Sequence, residues 1–250
     1  MLIPERQNLI LNYLKDHHFA SVSELSQLLF VSETSIRRDL SCMEKSGLLQ
    51  KTYGGAILVQ GSSDVPALNA RMETSKAEKT CIAKKAASII ADGSTIFLDS
   101  SSTALYMVPF LGEKQKLSVI TNGARLAVSL AEYPHIRVYC SGGCLSPHIF
   151  SYNGAIAQQM LNEMHADFSF ISIKALDSIS GAFCANEEET QIRRIMLKNS
   201  HTHVLLCSAR KLSKTSTFHL CNLDEVDYIV MDTSPQDEIL QALSGYCKIL

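Results

Sequence analysis

Residues 31–40 read Val31-Ser32-Glu33-Thr34-Ser35-Ile36-Arg37-Arg38-Asp39-Leu40, and this stretch decides the fold of the first part of the chain. Ile36, Leu40 and Met43 recur at i, i+4 and i+7, a spacing that predicts a helix with one buried stripe. We expect Ser32 to cap the start of this helix and Gly47 to close its end.

The exposed side of the predicted helix carries hydroxyls and arginines, which we interpret as candidate DNA contacts: Ser32, Thr34, Ser35, Arg37 and Arg38. Guanidinium groups bond to phosphate oxygens and guanine edges, and hydroxyls bond to phosphates. The alternative is an ordinary surface helix with solvated arginines. The neighbouring elements favour the first interpretation.

Those neighbours predict a winged helix-turn-helix domain over residues 1–59. Residues 4–16 have helical apolar spacing, and Ser21 with Glu24 resembles a capping box that opens a second short helix. After the third helix, two β-prone runs flank a Gly-Gly turn over residues 48–59, which predicts a hairpin, the wing. Lys51 and Tyr53 on this hairpin are further candidate DNA contacts, with a plain covering hairpin as the alternative.

Composition and charge bound the class of protein. The 250 residues are 46% hydrophobic and 19% charged, and no apolar run approaches the roughly 18 residues of a membrane span. The N-terminus lacks a signal-peptide pattern, so we expect a cytoplasmic protein without a membrane partner. Acidic and basic side chains balance over the first 60 residues, so DNA affinity must depend on local placement, and we expect a homodimer or higher homo-oligomer.

The eight cysteines are scattered without a metal-ligand spacing. We therefore predict no metal site and no cofactor, and we interpret most of the cysteines as reduced, buried thiols.

A polar stretch opens a linker, predicted over residues 60–75, and a second domain follows over residues 76–250. Strand-like and helical segments alternate there, which predicts an α/β fold with a mainly parallel sheet covered on both faces. Ligands of such sheets bind beyond the carboxyl ends of the strands. Polar residues follow four of the predicted strands and form our candidate effector site: Asp99, Ser100, Ser101, Ser102, Thr103, Thr121, Asn122, Gly142, Gly143 and Lys211.

These candidates suit a phosphorylated polyol. Amides and hydroxyls in Ser100–Thr103 would bind phosphate where a helix begins, Lys211 would supply countercharge, and Asp99 would accept from sugar hydroxyls. Ordinary N-caps and turn residues are the alternative for any one cluster.

The motif over residues 31–40, followed by Gly47-Leu48-Leu49 and Tyr53-Gly54-Gly55-Ala56, resembles the DeoR family of bacterial transcriptional regulators. Residues 76–232 resemble that family's sensor domain, whose fold is similar to ribose-5-phosphate isomerase and which binds phosphorylated sugars. The resemblance adds Lys174 and Glu188 to the candidate effector site. It also marks departures: Ser101 replaces a glycine, Lys174 lies in a run that usually carries an acid, and Ser208 replaces an aspartate.

These departures make the pocket more cationic, so we predict an effector more anionic than a simple sugar monophosphate, or a pocket that has lost effector binding. The leading functional prediction is a DNA-binding transcriptional regulator that represses a carbohydrate operon and is controlled by a phosphorylated effector. The alternative is a sugar-phosphate isomerase fused to a DNA-binding module, with Asp99 or Glu188 as base and Lys211 as electrophile. We expect no catalytic residues and no enzyme activity, because acids are missing from the expected positions.

Overall fold

The computed structural model describes residues 3–45, 48–58, 66–234 and 237–250. The chain divides into two compact units, Met1–Glu73 and Thr74–Leu250. No helix within the described ranges is long and apolar enough to cross a membrane.

The first unit contains three helices, a three-stranded sheet and a short fourth helix: α1 (Ile3–His17), β1 (Phe19–Ser21), α2 (Val22–Leu29), α3 (Glu33–Lys45), β2 (Leu49–Thr52), β3 (Gly55–Leu58) and α4 (Leu68–Glu73). The three predicted helices and the predicted hairpin are confirmed. The turn is Tyr53-Gly54, with Gly54 at φ +84°, and Gly55 already lies in β3. The Gly47 helix end lies outside the described residues.

Local signals in the sequence explain where these helices begin and end. Ser21 Oγ accepts from Glu24 N at 3.1 Å while Glu24 Oε2 accepts from Ser21 N at 3.2 Å, so the predicted capping box opens α2. Phe30 ends α2 in the left-handed region at φ 54°. Ser32 Oγ accepts from Ser35 N at 3.3 Å and caps α3 as predicted.

One strand of this unit, β1, was not predicted from the sequence. β1 pairs antiparallel with β3, giving the order β1-β3-β2. Its three residues are too few to show an alternating pattern, and they lie directly between two strong helix signals.

The predicted linker overlaps an ordered helix. Residues 68–73, which we assigned to the linker, form α4, and the polar stretch over residues 60–64 lies outside the described residues.

The second unit contains these helices and strands: α5 (Lys76–Ser88), β4 (Thr95–Leu98), α6 (Ser102–Leu105), α7 (Val108–Leu111), β5 (Ser118–Thr121), α8 (Ala124–Leu130), β6 (Arg137–Cys140), β7 (Cys144–Ser146), β8 (Ser151–Asn153), α9 (Ala155–Asn162), β9 (Ala166–Ser172), β10 (Ala175–Asp177), β11 (Gly181–Cys184), α10 (Glu187–Lys198), β12 (Ser200–Leu206), β13 (Phe218–Cys221), β14 (Tyr228–Val230), α11 (Asp237–Ser244) and β15 (Lys248–Ile249). Short 3₁₀ helices cover Ala209–Lys211 and Leu223–Glu225.

Seven strands form the predicted parallel sheet in the order β15-β14-β12-β9-β4-β5-β6, and each neighbouring pair is parallel. Ile96, Phe97 and Leu98 are successive in β4 and are all fully buried. Because successive side chains of a strand point to opposite faces, both faces of the sheet are covered, as predicted.

Three details of this unit go beyond the sequence patterns. Residues 102–111 form two short helices rather than one, because Pro109 lies in the first turn of α7 and cannot donate a backbone hydrogen bond. Two lysines of α5 donate to carbonyl oxygens, Lys79 to Thr74 at 2.7 Å and Lys85 to Met231 at 2.9 Å. The antiparallel pair β7–β8 and the three-stranded antiparallel sheet β10-β11-β13 were not predicted.

Candidate DNA interface and effector site

Helix α3 presents the surface that its sequence predicts. Ile36, Leu40 and Met43 are buried, whereas Arg37 and Arg38 are exposed. Among the remaining candidates, Ser32 and Thr34 are exposed and Ser35 is half-buried. The helix therefore offers a polar face with two guanidinium groups.

The two arginines differ in their surroundings. Arg37 Nη2 donates to Glu33 Oε2 at 3.1 Å, one helical turn earlier, and both side chains are exposed. Exposed pairs of this kind contribute only about 0.3–0.5 kcal/mol, so phosphate can displace the carboxylate. The Arg38 side chain forms no ion pair or hydrogen bond with the described residues.

Asp39, the next residue, points the other way. It is buried, and Arg6 Nη2 donates to its Oδ1 at 3.2 Å while Arg6 Nε donates to Oδ2. The hydrogen bond with the Asp39 carboxylate raises the pKa of Arg6. This ion pair joins α1 to α3. It could not be predicted from the sequence because the two residues lie far apart in the chain.

The wing is bonded to α3 through Lys51. Lys51 Nζ donates to Ser41 Oγ at 3.0 Å, and Lys51 N donates to Glu44 Oε1 at 2.9 Å. Tyr53, by contrast, is fully exposed at the turn of the hairpin. Tyr53 is thus free to meet a partner, whereas the Lys51 ammonium is engaged with α3.

In the second unit, the parallel strands bring most of the predicted effector residues to one edge of the sheet. The predicted clusters follow the carboxyl ends of β4, β5 and β6, Lys174 follows β9, and Lys211 follows β12. The loops after β4 and β5 touch, because a Cβ on Gly123 would lie 3.1 Å from Ser100 Cα. Residues 100–103 are all buried.

Asp99 is the centre of a buried network at this edge. Its Oδ1 accepts from Ser101 N at 3.2 Å, and its Oδ2 accepts from Ser172 N at 3.0 Å and from Arg193 Nε at 2.9 Å. Both oxygens are therefore engaged with the protein, and the carboxylate joins the loops after β4 and β9 to α10.

Arg193 and Glu189 are site residues that sequence reading missed. Arg193 Nη1 donates to Glu189 Oε2 at 3.1 Å, and both side chains are buried. Burial alone would lower the pKa of Arg193, but Glu189, Cys184 and Asp99 together raise it well above its usual value. Glu188, the residue that the resemblance suggested, is exposed.

A signal for the missed pair was present in the sequence. Glu189, Ile192, Arg193 and Met196 recur at i, i+3, i+4 and i+7, so they share the buried face of α10.

Two lysines lie at the same edge. Lys211 Nζ donates to Ser172 Oγ at 3.4 Å, and burial lowers its pKa. Lys174 is exposed, and its backbone N–H donates to Phe183 O at 2.8 Å. Asp99 and Glu189 together outweigh the single charge of Arg193, so Lys211 and Lys174 supply the positive charge that a ligand would meet.

Asn122 carries an unsatisfied acceptor. Its Nδ2 donates to Ser151 Oγ at 2.9 Å and to Tyr152 O at 3.2 Å, and the residue is only 1% exposed. Its buried Oδ1 has no hydrogen-bond partner in the described part of the chain. Buried acceptors are rarely left unpaired, so this oxygen is suited to a ligand donor.

The other predicted residues shape the edge. Thr121 Oγ1 accepts from Gly123 N at 3.0 Å. Gly142 and Gly143 have φ values of +62° and +104°, and a Cβ on Gly143 would lie 2.8 Å from Asn153 O. Only glycine fits that conformation and approach.

A winged helix-turn-helix unit followed by a parallel α/β unit with a polar edge is the arrangement of a two-domain transcriptional regulator. The DeoR-like helix-turn-helix domain model matches residues 6–61, and the DeoR C terminal sensor domain model matches residues 74–233. The chain belongs to the DeoR family and is a DNA-binding transcriptional regulator, which confirms the resemblance and the main functional prediction.

Two bacterial relatives carry names that agree with this assignment. The HTH-type transcriptional regulator GolR of Listeria innocua is 34% identical, over 91% of this chain and 90% of the relative. The HTH-type transcriptional repressor GlcR of Bacillus subtilis is 31% identical, over 98% of this chain and 92% of the relative. Among solved structures, a ribose 5-phosphate isomerase from Methanocaldococcus jannaschii aligns with 54% of this chain and with 54% of the isomerase chain. The sequence identity is 21% and the TM-score is 0.41.

Proposed function

We propose that this regulator represses a carbohydrate operon and is released when a phosphorylated effector binds at the carboxyl edge of the sheet. The observation that carries the proposal is the polar edge itself, where the unsatisfied Asn122 Oδ1 lies in the same edge as Lys211 and the buried loop after β4. Relatives named for the aga operon of Escherichia coli and the L-fucose operon of Haemophilus influenzae support a sugar operon. GlcR and the aga relative are named repressors and support repression, whereas the L-fucose relative is named an activator.

The DNA contacts we propose are those of α3 and the wing, within a DNA-binding domain over residues 1–59. Arg38 is our first candidate because its guanidinium is exposed and uncommitted, and Arg37 is the second because its partner is an exposed carboxylate. Lys51 serves chiefly to position the wing against α3. Because relatives such as GolR and GlcR are bacterial regulators, we propose that this protein acts in the cytoplasm.

The effector must match the donors and acceptors of the sensor domain, residues 76–250. A hydroxyl donating to Asn122 Oδ1 suits a polyol, and Lys211 with Lys174 suits phosphate or carboxylate groups. The two lysines favour an effector with more than one anionic group, such as a bisphosphate or a phosphorylated acid.

Calorimetric titration with sugar monophosphates, bisphosphates and phosphorylated acids tests the effector class. We expect the more anionic compounds to bind more tightly, and Asn122→Ala to weaken binding relative to Lys84→Gln, an exposed control on α5. Tight binding of a neutral sugar with no binding of any anion would contradict the proposal.

Release requires that the effector bind one conformation better than another, because equal binding shifts no equilibrium. We propose a homodimer or higher homo-oligomer, whose paired helices α3 match half-sites spaced by whole turns of about 34–36 Å. An effector that changes this spacing would lower operator affinity.

The second candidate function is sugar-phosphate isomerase activity, and we propose that the protein lacks it. Proton transfer between sugar carbons needs a free carboxylate, but Asp99 is bonded to Ser101, Ser172 and Arg193, and Glu188 is exposed. Exchange of label from sugar phosphates into water, measured with the intact protein, would establish an isomerase instead.

A further inference from the structure

A polar cavity lies at the edge of the parallel sheet opposite the effector edge. The cavity has a volume of about 560 Å³ and lies at the amino ends of β5 and β6, between the loops that lead into these strands. Its lining residues are Lys116, Leu117, Ser118, Pro134, His135, Ile136 and Arg137. The volume falls in the range of small-molecule sites.

The cavity is cationic. Lys116 and Arg137 line it together with His135 and the Ser118 hydroxyl, and none of its described lining residues is acidic. Arginine presents a planar fork that bonds two oxygens of one anion, and lysine adds a compact positive charge. This set of donors suits a phosphate or carboxylate ligand.

The wall that carries Lys116 is held in place by the neighbouring loop. Asp92 Oδ1 accepts from Gln115 N at 2.9 Å, and Gly93 N donates to Gln115 O at 2.9 Å. Lys116 itself has a left-handed backbone, at φ 57°, a conformation that costs energy for a residue with a Cβ. The two bonds to the preceding residue hold the lysine at the cavity despite this strain.

The wall that carries His135 is fastened to the first wall through Gly112. His135 Nε2 lies 3.0 Å from Gly112 O, so this nitrogen carries the proton and donates. A Cβ on Gly112 would lie 2.1 Å from the Tyr133 ring, so glycine is required for the two loops to pack. The loops that carry the cationic side chains are therefore already held in place before a ligand binds. This lowers the entropy cost of binding.

We propose that this cavity is a second ligand site, for a small oxyanion with at least two negative charges, distinct from the effector edge. Lys116 and Asn122 lie at opposite ends of β5, which places the two sites about 15–20 Å apart at the rise of an extended strand. A ligand here would contact none of the residues of the effector edge.

Protection of individual lysines from acetylation, measured by mass spectrometry on the full chain, tests the site directly. The probes are inorganic pyrophosphate and succinate at low ionic strength, where charge attraction is not screened. Lys84, exposed on α5, is the internal control, and Lys174 reports on the effector edge.

We expect acetylation of Lys116 to slow by roughly tenfold once either probe exceeds its dissociation constant by about tenfold. Arg137→Gln should abolish this protection, whereas Lys198→Gln on α10 should leave it intact. Protection by pyrophosphate alone assigns a phosphate ligand, and protection by succinate alone assigns a carboxylate.

Equal acetylation of Lys116 with and without both probes would overturn the proposal, as would protection that survives in Arg137→Gln. Because Lys174 is followed in the same samples, failure of this site is distinguished from failure of the effector edge.

Discussion

Replacing Arg193 with glutamine removes the guanidinium that bonds to both Asp99 and Glu189 inside the sensor unit. Arg193 and Asp99 are 6% and 1% exposed, and Glu189 is 4% exposed, so both carboxylates would stay buried without their cation. Breaking a buried pair by removing one partner costs about 3–5 kcal/mol. We therefore expect Arg193→Gln to lower the stability of the sensor unit by this amount.

Thermal unfolding at pH 7, followed by circular dichroism, measures the effect. A loss of this size lowers Tm by roughly 6–20 °C for a unit of this length. Lys198→Gln is the matched control, because this lysine is exposed on the same helix. If Arg193→Gln unfolds within about 1 °C of Lys198→Gln, the buried network does not stabilise the sensor unit and the reasoning is refuted.

A double variant separates the charge effect from the loss of packing. Asp99→Asn removes one of the two carboxylates that Arg193→Gln leaves unpaired. The two changes should therefore destabilise by less than the sum of their separate effects. Strict additivity would mean that the residues do not act as one network.

Three further predictions concern other parts of the chain. Arg38→Gln should lower operator affinity by about 1–3 kcal/mol in anisotropy titrations, whereas Lys84→Gln should not, and equal affinities would exclude Arg38 from the interface. Burial lowers the pKa of Lys211 below 10.5, so at neutral pH the charged lysine destabilises the folded state. This destabilisation disappears as the pH rises toward 10.5, because the lysine then loses its proton. Lys211→Met should therefore be more stable than the wild type in urea unfolding at pH 7, by a margin that shrinks on raising the pH, and a constant margin would contradict this. Burial raises the pKa of Cys207 to about 12, so alkylation of the native protein at pH 8 should modify the exposed Cys140 and leave Cys207 unmodified, as read by mass spectrometry.

The sequence was most informative where one residue pattern matched one element. The i, i+4, i+7 stripe of α3, the capping box of α2 and the alternating strands and helices of the second unit were all predicted, because apolar spacing and caps act locally. The parallel order then placed the predicted strand-end residues at one edge without further information.

Interactions between distant residues could not be read in this way. The pairing of Asp99 with Arg193 spans 94 positions, and that of Arg6 with Asp39 spans 33, and neither leaves a periodic signal. Asp99 was interpreted as a sugar ligand because a carboxylate after a strand suits that role, but the backbone N–H groups of Ser101 and Ser172 reach it first. Which side chains remain available to a ligand depends on such tertiary contacts.

We propose that DNA binding by α3 is controlled from the carboxyl edge of the sheet. Fluorescence anisotropy with DNA from upstream of the protein's own operon, at fixed salt, tests it when a panel of phosphorylated sugars and acids is added to the wild type and to Asn122→Ala. We predict specific binding that one compound releases in the wild type, with release by that compound weakened in the variant. Specific binding that no compound alters, or release that is equal in both proteins, would contradict the account.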